Sequence, residues 1–509
     1  MSITEKISHA AERKAFETVL DSLIKKGQTQ DAGKFANDLV NMVQKLHGDV
    51  WSEASFQTLH VLANDPNGKW AHYVQRLIRD NDPYILKTFL TNAVYEGGIR
   101  GYHVAQETAK KYDINVPWLI LMDPTSACNM HCTGCWAAEY GHKQSLTFEE
   151  MDRVLTEAKE LGTHACLFTG GEPLLRKKDI IRLCEKHRDM AFHAFTNGTL
   201  IDEEFCQEML RVGNFFVSIS VEGFEEANDG RRGQGHFQKA LDAMDLMHSH
   251  RIPFGVSICY TSQNYKVVTS DAFLDLLISK GCIFAWYFHY MPVGLNADTS
   301  LLLTPEQRAY MKDRVREIRG LTGGKELYCI DFQNDGEFAG GCVAGGRIYC
   351  HINAAGDVEP CVFIHYSSIP AQISRKRAFW SVCSSRCSSS TARASPSTAT
   401  TCGPAPCWKI RNCCRRWWQR AVRTPPTSKR RKAPSICARS ARPMPIAGSL
   451  KPKSSGRRST ELAEGRPIRK GSKDRKVRVP QSCGRALFAK KKKKTDRKPC
   501  ASGPLHWWR

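Results

Sequence analysis

Apolar residues recur at helical spacing through the first 115 residues of the chain. The segments Ala11–Lys25 and Ala71–Leu90 place apolar side chains three or four positions apart, with polar residues between them. No run in this part of the sequence alternates as a strand does. We predict a helical N-terminal region over residues 1–115 that packs against the rest of the protein. A role for this region in substrate binding is the alternative.

A different rhythm begins at Val116, where short apolar runs alternate with amphipathic segments. Six runs have the length of buried strands: Trp118–Met122, Ala165–Phe168, Ala191–Phe195, Phe215–Ser220, Phe254–Tyr260 and Ile283–Tyr290. Alternating strands and helices predict parallel strands joined by right-handed crossovers. The expected fold class is therefore α/β, a partial (β/α)6 TIM-like barrel over residues 116–325. In such a sheet, chemistry gathers at the carboxyl ends of the strands.

The segments between the runs carry their own helix signals. Thr147 followed by Glu150 has the pattern of a capping box, and Gly162 is suited to ending the same helix. Further helices are predicted near Asp202–Val212, Phe237–His250 and Ala272–Lys280.

Charge is distributed unevenly along the 509 residues, whose formal net charge is +23. Residues 369–509 hold 37 of the 74 basic and 4 of the 51 acidic residues, a net of +33, which leaves residues 1–368 with a net of −10. A uniformly basic nucleic-acid-binding protein is thereby excluded. No apolar run reaches the ~18 residues of a membrane span, and the polar N-terminus is unlike a signal peptide. We expect a cytoplasmic protein with no membrane partner.

Three of the 21 cysteines stand close together directly after the first predicted strand. Cys128, Cys132 and Cys135 form a CxxxCxxC pattern on a loop, and without a secretion signal a metal or redox role is favoured over disulfides. Three thiolates at this spacing can bind three irons of a [4Fe–4S] cluster and leave the fourth iron open. Zinc is the alternative, with His131 as a fourth ligand, although closed zinc sites usually use CxxC pairs.

Polar, glycine-containing tips follow the next three predicted strands. The second strand ends in Gly170, Gly171 and Glu172, where glycines permit close backbone approach and the carboxylate can accept hydrogen bonds from an ammonium group. The third strand ends in Thr196-Asn197-Gly198, and Ser220 and Glu222 lie at the end of the fourth. Together the tips predict a binding site at one edge of the sheet.

The combination of CxxxCxxC, GGEP and TNG after successive strands resembles the radical S-adenosylmethionine (radical SAM) superfamily over residues 117–290. The resemblance implies cleavage of S-adenosylmethionine at the [4Fe–4S] cluster to a 5′-deoxyadenosyl radical, which abstracts hydrogen from a substrate. It implies cofactor contacts by Gly170, Gly171 and Glu172 along the methionyl amine, by Asn197, and by Ser220 and Glu222 at ribose or carboxylate positions: these are the expected cofactor-binding residues. A peptide or small-molecule substrate and an electron donor such as flavodoxin or ferredoxin are the implied partners.

One position departs from the family pattern. The residue before the last cysteine of the motif is often aromatic, whereas this chain has Gly134. We hypothesise that Trp136, two positions later, provides the missing surface for the adenine.

A second cysteine pair follows the barrel, with thirteen residues between Cys342 and Gly356 and four between Gly356 and Cys361. This spacing resembles the start of a SPASM or twitch extension, which implies two ligands of an auxiliary iron–sulfur cluster in residues 326–368. Gly356-Asp357 is the predicted turn of a hairpin between Tyr349–Ile352 and Val358–Val362. Two unrelated core cysteines are the alternative reading of the pair, and Cys350 lies between them as a further thiol. The remaining cysteines are expected to be buried apolar packing: Cys166, Cys184, Cys206, Cys259 and Cys282.

Residues 369–509 lose all hydrophobic periodicity. The segment is basic and of low complexity, yet it holds 9 of the 21 cysteines and 6 of the 11 tryptophans, which genuine disordered tails avoid. Read in the frame that starts at the third base of each codon, the permitted translation is ordinary acidic protein and includes a CxxC. We therefore interpret residues 369–509 as an out-of-frame translation.

The alternative takes this segment as a genuine basic tail. Lys490–Lys494 and nearby arginines would then bind nucleic acid through its phosphates, as part of a nucleic-acid-binding or nucleic-acid-modifying protein. A solvated charge run without a partner is the simplest reading of such a segment.

Overall fold

The structure is a computed structural model that describes residues 3–47, 53–65, 68–112, 114–294, 297–320 and 323–364. The segment interpreted as out-of-frame, residues 369–509, and the nucleic-acid alternative that depends on it lie outside the described residues.

In the described residues before the first strand there are six α-helices: α1 (Ile3–Thr29), α2 (Ala32–His47), α3 (Glu53–Ala63), α4 (Lys69–Asp80), α5 (Pro83–Leu90) and α6 (Gly101–Tyr112). A π-helical segment, Thr91–Arg100, joins the last two. The predicted helical stretch at Ala71–Leu90 is two helices, because Asp82 accepts hydrogen bonds from the first turn of α5 and Pro83 starts that helix.

The sheet has nine strands in the described residues: β1 (Leu119–Met122), β2 (Ala165–Phe168), β3 (Ala191–Thr196), β4 (Phe215–Ser220), β5 (Gly255–Tyr260), β6 (Phe284–His289), β7 (Tyr328–Asp331), β8 (Tyr349–Ile352) and β9 (Val358–Glu359). Their order is β7-β6-β5-β4-β3-β2-β1-β8-β9, and only the β8–β9 pair is antiparallel. All six predicted strands are present, within one residue of the predicted bounds at either end.

Helices cross over between the strands and cover the outer face of the sheet: α7 (Phe148–Glu160), α8 (Lys177–Lys186), α9 (Glu203–Val212), α10 (Glu225–Arg232), α11 (His236–Ser249), α12 (Asp271–Ser279) and α13 (Pro305–Ile318). The capping box predicted at Thr147 and Glu150 is formed, with backbone-to-side-chain bonds of 2.9 and 3.1 Å. The α/β barrel-like fold class is confirmed. No helix within the described ranges has the length and apolarity needed to cross a bilayer.

Three strands extend the sheet beyond the six of the predicted barrel: β7, which the sequence analysis missed, and the predicted hairpin of β8 and β9, whose second strand is shorter than predicted. β7 continues the parallel order beside β6, and the hairpin of β8 and β9 attaches to the opposite edge. β8 pairs with β1 in parallel, with Leu119 beside Tyr349 and Met122 beside Ile352. The segment with the second cysteine pair is therefore continuous with the barrel sheet at the strand that precedes the first cysteine motif.

The N-terminal helices contact the amino ends of the strands. The Asn92 amide donates to the carbonyls of Arg188 and Met190, both just before β3, at 2.8 Å. The Phe89 ring lies 4.0 Å from that of Phe216 at the start of β4, measured between centroids. This placement supports the packing role predicted for the region, because the candidate site lies at the opposite ends of the strands.

Candidate functional site

The loop after β1 holds the first three cysteines close to one another. Burial, with smaller contributions from Glu172 and from the Cys132 and Cys135 thiols, raises the pKa of Cys128 to about 11. Burial and the Cys132 thiol likewise raise the pKa of Cys135. The Cys135 N–H donates to the Cys132 carbonyl oxygen at 3.3 Å, and the structure places the three predicted cysteines on one loop at the carboxyl end of β1.

Side chains from two neighbouring strand tips fix the shape of this cysteine loop. Asn129 accepts a hydrogen bond from the Asn197 amide and donates to the Thr199 hydroxyl, both at 2.8 Å. The Thr133 N–H donates to the Arg231 carbonyl oxygen at 2.9 Å. The loop is thus attached to the tip of β3 and to the end of α10.

Gly134, where the family pattern often has an aromatic residue, has little space around it. Its φ of +66° is in the left-handed region, and a Cβ there would lie 2.7 Å from the Tyr290 ring. Only glycine combines this backbone conformation with such a close ring contact. The Trp136 ring lies against His351 and Phe363 at centroid distances of 6.2 and 6.1 Å, and its role in adenine packing stays a prediction.

The two glycines of the GGE turn allow it to pack on the backbone that leads into Cys128. A Cβ on Gly171 would meet the Ala127 carbonyl oxygen at 2.0 Å, and Gly170, at φ +100°, faces the Thr125 carbonyl oxygen. The Glu172 N–H donates to the Ala127 carbonyl at 2.8 Å. The two glycines are therefore needed for close packing of two segments of the protein's own backbone. From the sequence alone, they were predicted to allow close approach to a ligand.

The buried Glu172 carboxylate connects the tips of β2 and β3. It accepts hydrogen bonds from the Leu174 N–H at 2.9 Å, the Thr196 hydroxyl at 2.7 Å and the Asn197 N–H at 2.8 Å. Burial raises the pKa of this carboxyl group despite these bonds. The carboxylate thus orders two predicted tips of the site.

Glu222, also fully buried, binds two guanidinium groups from the end of α10. Its Oε1 accepts hydrogen bonds from Arg231 and from Arg232, the latter at 2.6 and 2.9 Å, and its Oε2 accepts from the Cys259 N–H at 2.8 Å. Burial alone would raise the pKa of Glu222, but the two guanidiniums outweigh it and hold the pKa below its usual value. Arg232 Nη1 lies 3.9 Å from Cys132 Sγ.

Sequence reasoning missed Arg231 and Arg232. The available signal was a pair of arginines followed by Gly233, nine and ten residues after the glutamate that follows the fourth predicted strand. A buried carboxylate requires a cation, and these were the nearest in sequence. The Ser220 hydroxyl, by contrast, has no hydrogen-bond partner within the described part of the chain, and the residue is 9% exposed, so this hydroxyl is free to contact a ligand.

The donor set suits an anionic iron–sulfur cluster. Three thiols lie on one loop, and two guanidinium groups stand beside them to offset negative charge. Among the described residues, no three His, Cys, Asp or Glu side chains converge on one point as a single metal ion requires. Thiolates of a [4Fe–4S] cluster each bind a different iron and need not converge in this way. The residues present therefore fit the cluster.

Both cysteines of the second pair act on the buried Tyr349. The Tyr349 hydroxyl is 3.2 Å from Cys361 Sγ, and burial followed by the Cys361 and Cys342 thiols raises the pKa of Tyr349 well above its usual value. Cys361 is buried and Cys342 is exposed. Their role as auxiliary-cluster ligands stays a prediction.

Four of the five cysteines expected to be apolar packing lie in the main core: Cys166, Cys184, Cys206 and Cys282. Cys259 differs, because it is half-buried at the end of β5, where its N–H binds Glu222. The Arg231 guanidinium and the Cys135 thiol both act on the Cys259 thiol, whose pKa burial raises to about 11. It therefore borders the candidate site.

The chain is similar in sequence to proteins of known family. Residues 122–268 match the radical SAM superfamily. The chain is 28% identical over 230 residues to Fe-coproporphyrin III synthase from Methanosarcina barkeri, which covers 43% of this chain and 57% of the synthase. It is 26% identical over 280 residues to mycofactocin maturase MftC from Mycolicibacterium smegmatis, covering 53% and 70%. The chain thus spans little more than half the length of the first of these relatives.

Solved structures with a similar arrangement include Streptococcus suis SuiB bound to the precursor peptide SuiA. The TM-score is 0.47 at 17% identity, over 62% of this chain and 73% of that one.

Proposed function

This chain carries a radical SAM domain over residues 122–268, and on that premise we propose that it cleaves S-adenosylmethionine reductively and uses the resulting radical to abstract hydrogen from a peptide. The observation that carries the proposal is the placement of Cys128, Cys132 and Cys135 on one loop beside two arginines at the carboxyl ends of the strands.

Cys128, Cys132 and Cys135 would hold a [4Fe–4S] cluster, with one iron left open for the amino and carboxylate groups of S-adenosylmethionine. When bound, these cofactors supply the one-electron cleavage that yields a 5′-deoxyadenosyl radical. We propose that flavodoxin or ferredoxin donates the electron.

The chain's own residues hold the cofactors in place and offset their charge. Arg231 and Arg232 set positive charge beside the thiolates, and Glu222 keeps both guanidiniums in position. Gly170, Gly171, Glu172, Asn197, Ser220 and Glu222 are the proposed border of the cofactor site. Of these, Ser220 has a hydroxyl that is unengaged within the described residues, whereas Glu172 and Glu222 act mainly by ordering their neighbours.

A peptide substrate is supported by the names of several relatives. Besides the maturase above, they include a serine-type anaerobic sulfatase-maturating enzyme and PqqA peptide cyclases, each 26–29% identical to this chain. The relatives named for haem synthesis make a tetrapyrrole the small-molecule alternative. We further propose that Cys342 and Cys361 are the first two ligands of an auxiliary iron–sulfur cluster.

Formation of 5′-deoxyadenosine tests the proposed activity. Anaerobically reconstituted protein, reduced with dithionite, is expected to convert S-adenosylmethionine to 5′-deoxyadenosine, as followed by chromatography. Replacing Cys128, Cys132 and Cys135 together by Ala should abolish the product. Cys184→Ala is the matched control, since this thiol is buried in the core between helix and sheet. Product formation that survives the triple replacement would overturn the proposal.

A further inference from the structure

A buried cation without a partner lies between α13 and the sheet. The buried side chains of α13 are Arg308, Met311, Val315 and Ile318, which recur at the spacing of one helix face. Arg308 thus occupies the first position of an otherwise apolar stripe, and only 9% of its surface is exposed. Its guanidinium forms neither an ion pair nor a hydrogen bond with any described residue, and Nε and Nη2 are both buried.

His289 at the end of β6 is likewise buried and without a hydrogen-bond partner among the described residues. In β6, Ala285, Tyr287 and His289 are the buried residues that alternate with the half-buried ones, so they face the helical layer. His289 is 3% exposed, and neither ring nitrogen has a hydrogen-bond partner in the described part of the chain. The helix α13 is the crossover that follows β6, and Arg308 in its first turn comes soon after the end of β6 where His289 lies; its charge contributes to lowering the pKa of this ring.

The neighbouring polar groups are already engaged with one another. The Tyr260 ring stacks on His289 with centroids 5.7 Å apart, and its hydroxyl donates to Asp331 at 3.0 Å. Asn334 donates to the other oxygen of Asp331 at 2.7 Å. Asp331 therefore has both oxygens occupied and forms no ion pair with Arg308.

A buried charge is tolerated only when it is paired and hydrogen-bonded. Burial lowers the pKa of His289 to about 3, so the imidazole is neutral and can donate from one nitrogen. One positive charge and one neutral donor match a single monoanion. Arg308 lies in the first turn of α13, where the helix dipole also favours an anion.

We propose that Arg308 and His289 form a binding site for a carboxylate at the carboxyl ends of β5 to β7. The two unpartnered nitrogens of Arg308, Nε and Nη2, lie on the same edge of the guanidinium. That edge presents two parallel N–H donors, the geometry that a planar carboxylate accepts in a bidentate pair. The ring of His289 supplies a third donor. The carboxylate comes either from a small free acid or from a larger molecule that carries the group.

Formate is the probe for the free acid and N-acetylglycine for a carboxylate on a larger molecule. The full-length chain is titrated with each sodium salt against sodium chloride at constant ionic strength, by calorimetry and by thermal unfolding. Saturable binding of formate is expected, with an increase in Tm. Binding of N-acetylglycine as well would identify a site open to larger molecules, and binding of formate alone a closed site.

Substitutions separate this site from general anion effects. Arg308→Met is expected to abolish formate binding, and Arg308→Lys to weaken it at least tenfold, because lysine keeps the charge but has no bidentate edge. His289→Phe retains the stacking on Tyr260 and loses the third donor, so a several-fold weaker Kd is expected. Lys312→Met, which removes a cation from α13 outside the buried stripe, is the control and should leave binding unchanged.

The same variants provide the results that would overturn the proposal. Arg308 has no partner to lose, so Arg308→Met should unfold in chloride at a temperature no lower than that of the wild type. A lower Tm in chloride, no saturable formate binding, or equal binding by wild type and Arg308→Met would each contradict the site. The readout requires neither iron nor S-adenosylmethionine, so its outcome is independent of the proposed radical chemistry.

Discussion

Glu172 and Glu222 are buried carboxylates at the strand tips whose oxygens are bound by donors of the protein itself. Glu172 accepts three hydrogen bonds across β2 and β3, and Glu222 accepts from two arginines and from the Cys259 N–H. Their sequence motifs predicted contacts to a cofactor. The structure adds that each carboxylate positions neighbouring groups, so their replacement affects stability as well as binding.

Replacement of Glu172 by Ala is expected to weaken both S-adenosylmethionine binding and folding. The N–H groups of Leu174 and Asn197 lose their acceptor, and each buried donor left unpaired costs about 1–3 kcal/mol. Loss of a charge-assisted bond to the methionyl ammonium would raise the Kd by roughly tenfold or more. Calorimetric titration and urea unfolding measure the two effects. An unchanged Kd would contradict the role of Glu172 in cofactor binding. An unchanged free energy of unfolding would contradict its role as the acceptor for the Leu174 and Asn197 N–H groups.

Asp331 is expected to make stability depend on pH. Burial raises the pKa of this carboxyl group to about 6, above its usual value of 3.8. The folded state therefore holds the proton more tightly than the unfolded state, so stability is highest at low pH and falls as the pH rises from about 4 to about 6. Asp331→Asn removes this dependence.

Between pH 4 and pH 7 the free energy of unfolding of Asp331→Asn should rise relative to that of the wild type by up to about 3 kcal/mol, which corresponds to a pKa difference of roughly two units. Denaturant unfolding at several pH values measures the difference. A constant difference between the two proteins across this range would contradict the shifted pKa.

At the scale of elements, the cysteine loop is fixed by contacts that a sequence does not display. The CxxxCxxC spacing identifies the thiols, but the bonds from Asn129 to the tip of β3 join residues about 70 positions apart. The contact of Gly134 with Tyr290 spans more than 150 positions. Neither contact produces a local sequence pattern. The sequence analysis therefore identified Gly134 only as a departure from the family pattern, without a structural reason for it.

Gly134→Ala is expected to disturb the cysteine loop more than Gly141→Ala. Both glycines have a left-handed φ, +66° and +65°, so both substitutions carry a similar backbone strain of about 1–2 kcal/mol. A Cβ at Gly134 also meets Tyr290, whereas one at Gly141 meets nothing within 4 Å. The extra overlap should cost about 1–3 kcal/mol and reduce iron bound after reconstitution. Equal stability and equal iron content in the two variants would contradict the contact.

For the whole molecule, local patterns predicted the elements, whereas the long-range pairings required the structure. Short apolar runs and helical spacings located the six barrel strands and the helices between them, because each signal lies within about fifteen residues. The parallel pairing of β8 with β1 joins residues 230 positions apart and has no turn signal. The role of Arg231 and Arg232 was missed for a related reason, since their partner carboxylate was assigned to a ligand.

The iron content of the full-length chain tests whether the second cysteine pair takes part in an auxiliary iron–sulfur cluster. The proposed auxiliary ligands Cys342 and Cys361 are two, fewer than an auxiliary cluster uses, and if residues 369–509 are out-of-frame the remaining ligands are absent. We expect about four irons per chain after reconstitution. The double variant Cys342→Ala/Cys361→Ala should bind the same amount. About eight irons, falling to four in that variant, would show that the auxiliary cluster assembles in this chain.

The most direct test of the central claim is electron paramagnetic resonance of the reduced, reconstituted protein before and after S-adenosylmethionine is added. Three cysteine ligands leave one iron open, so the account predicts the signal of a reduced [4Fe–4S] cluster whose g values change when S-adenosylmethionine binds that iron. Cys132→Ala should lose the signal, whereas Cys184→Ala should retain both the signal and its change. A cluster signal that S-adenosylmethionine leaves unaltered, or one that persists in Cys132→Ala, would contradict the account.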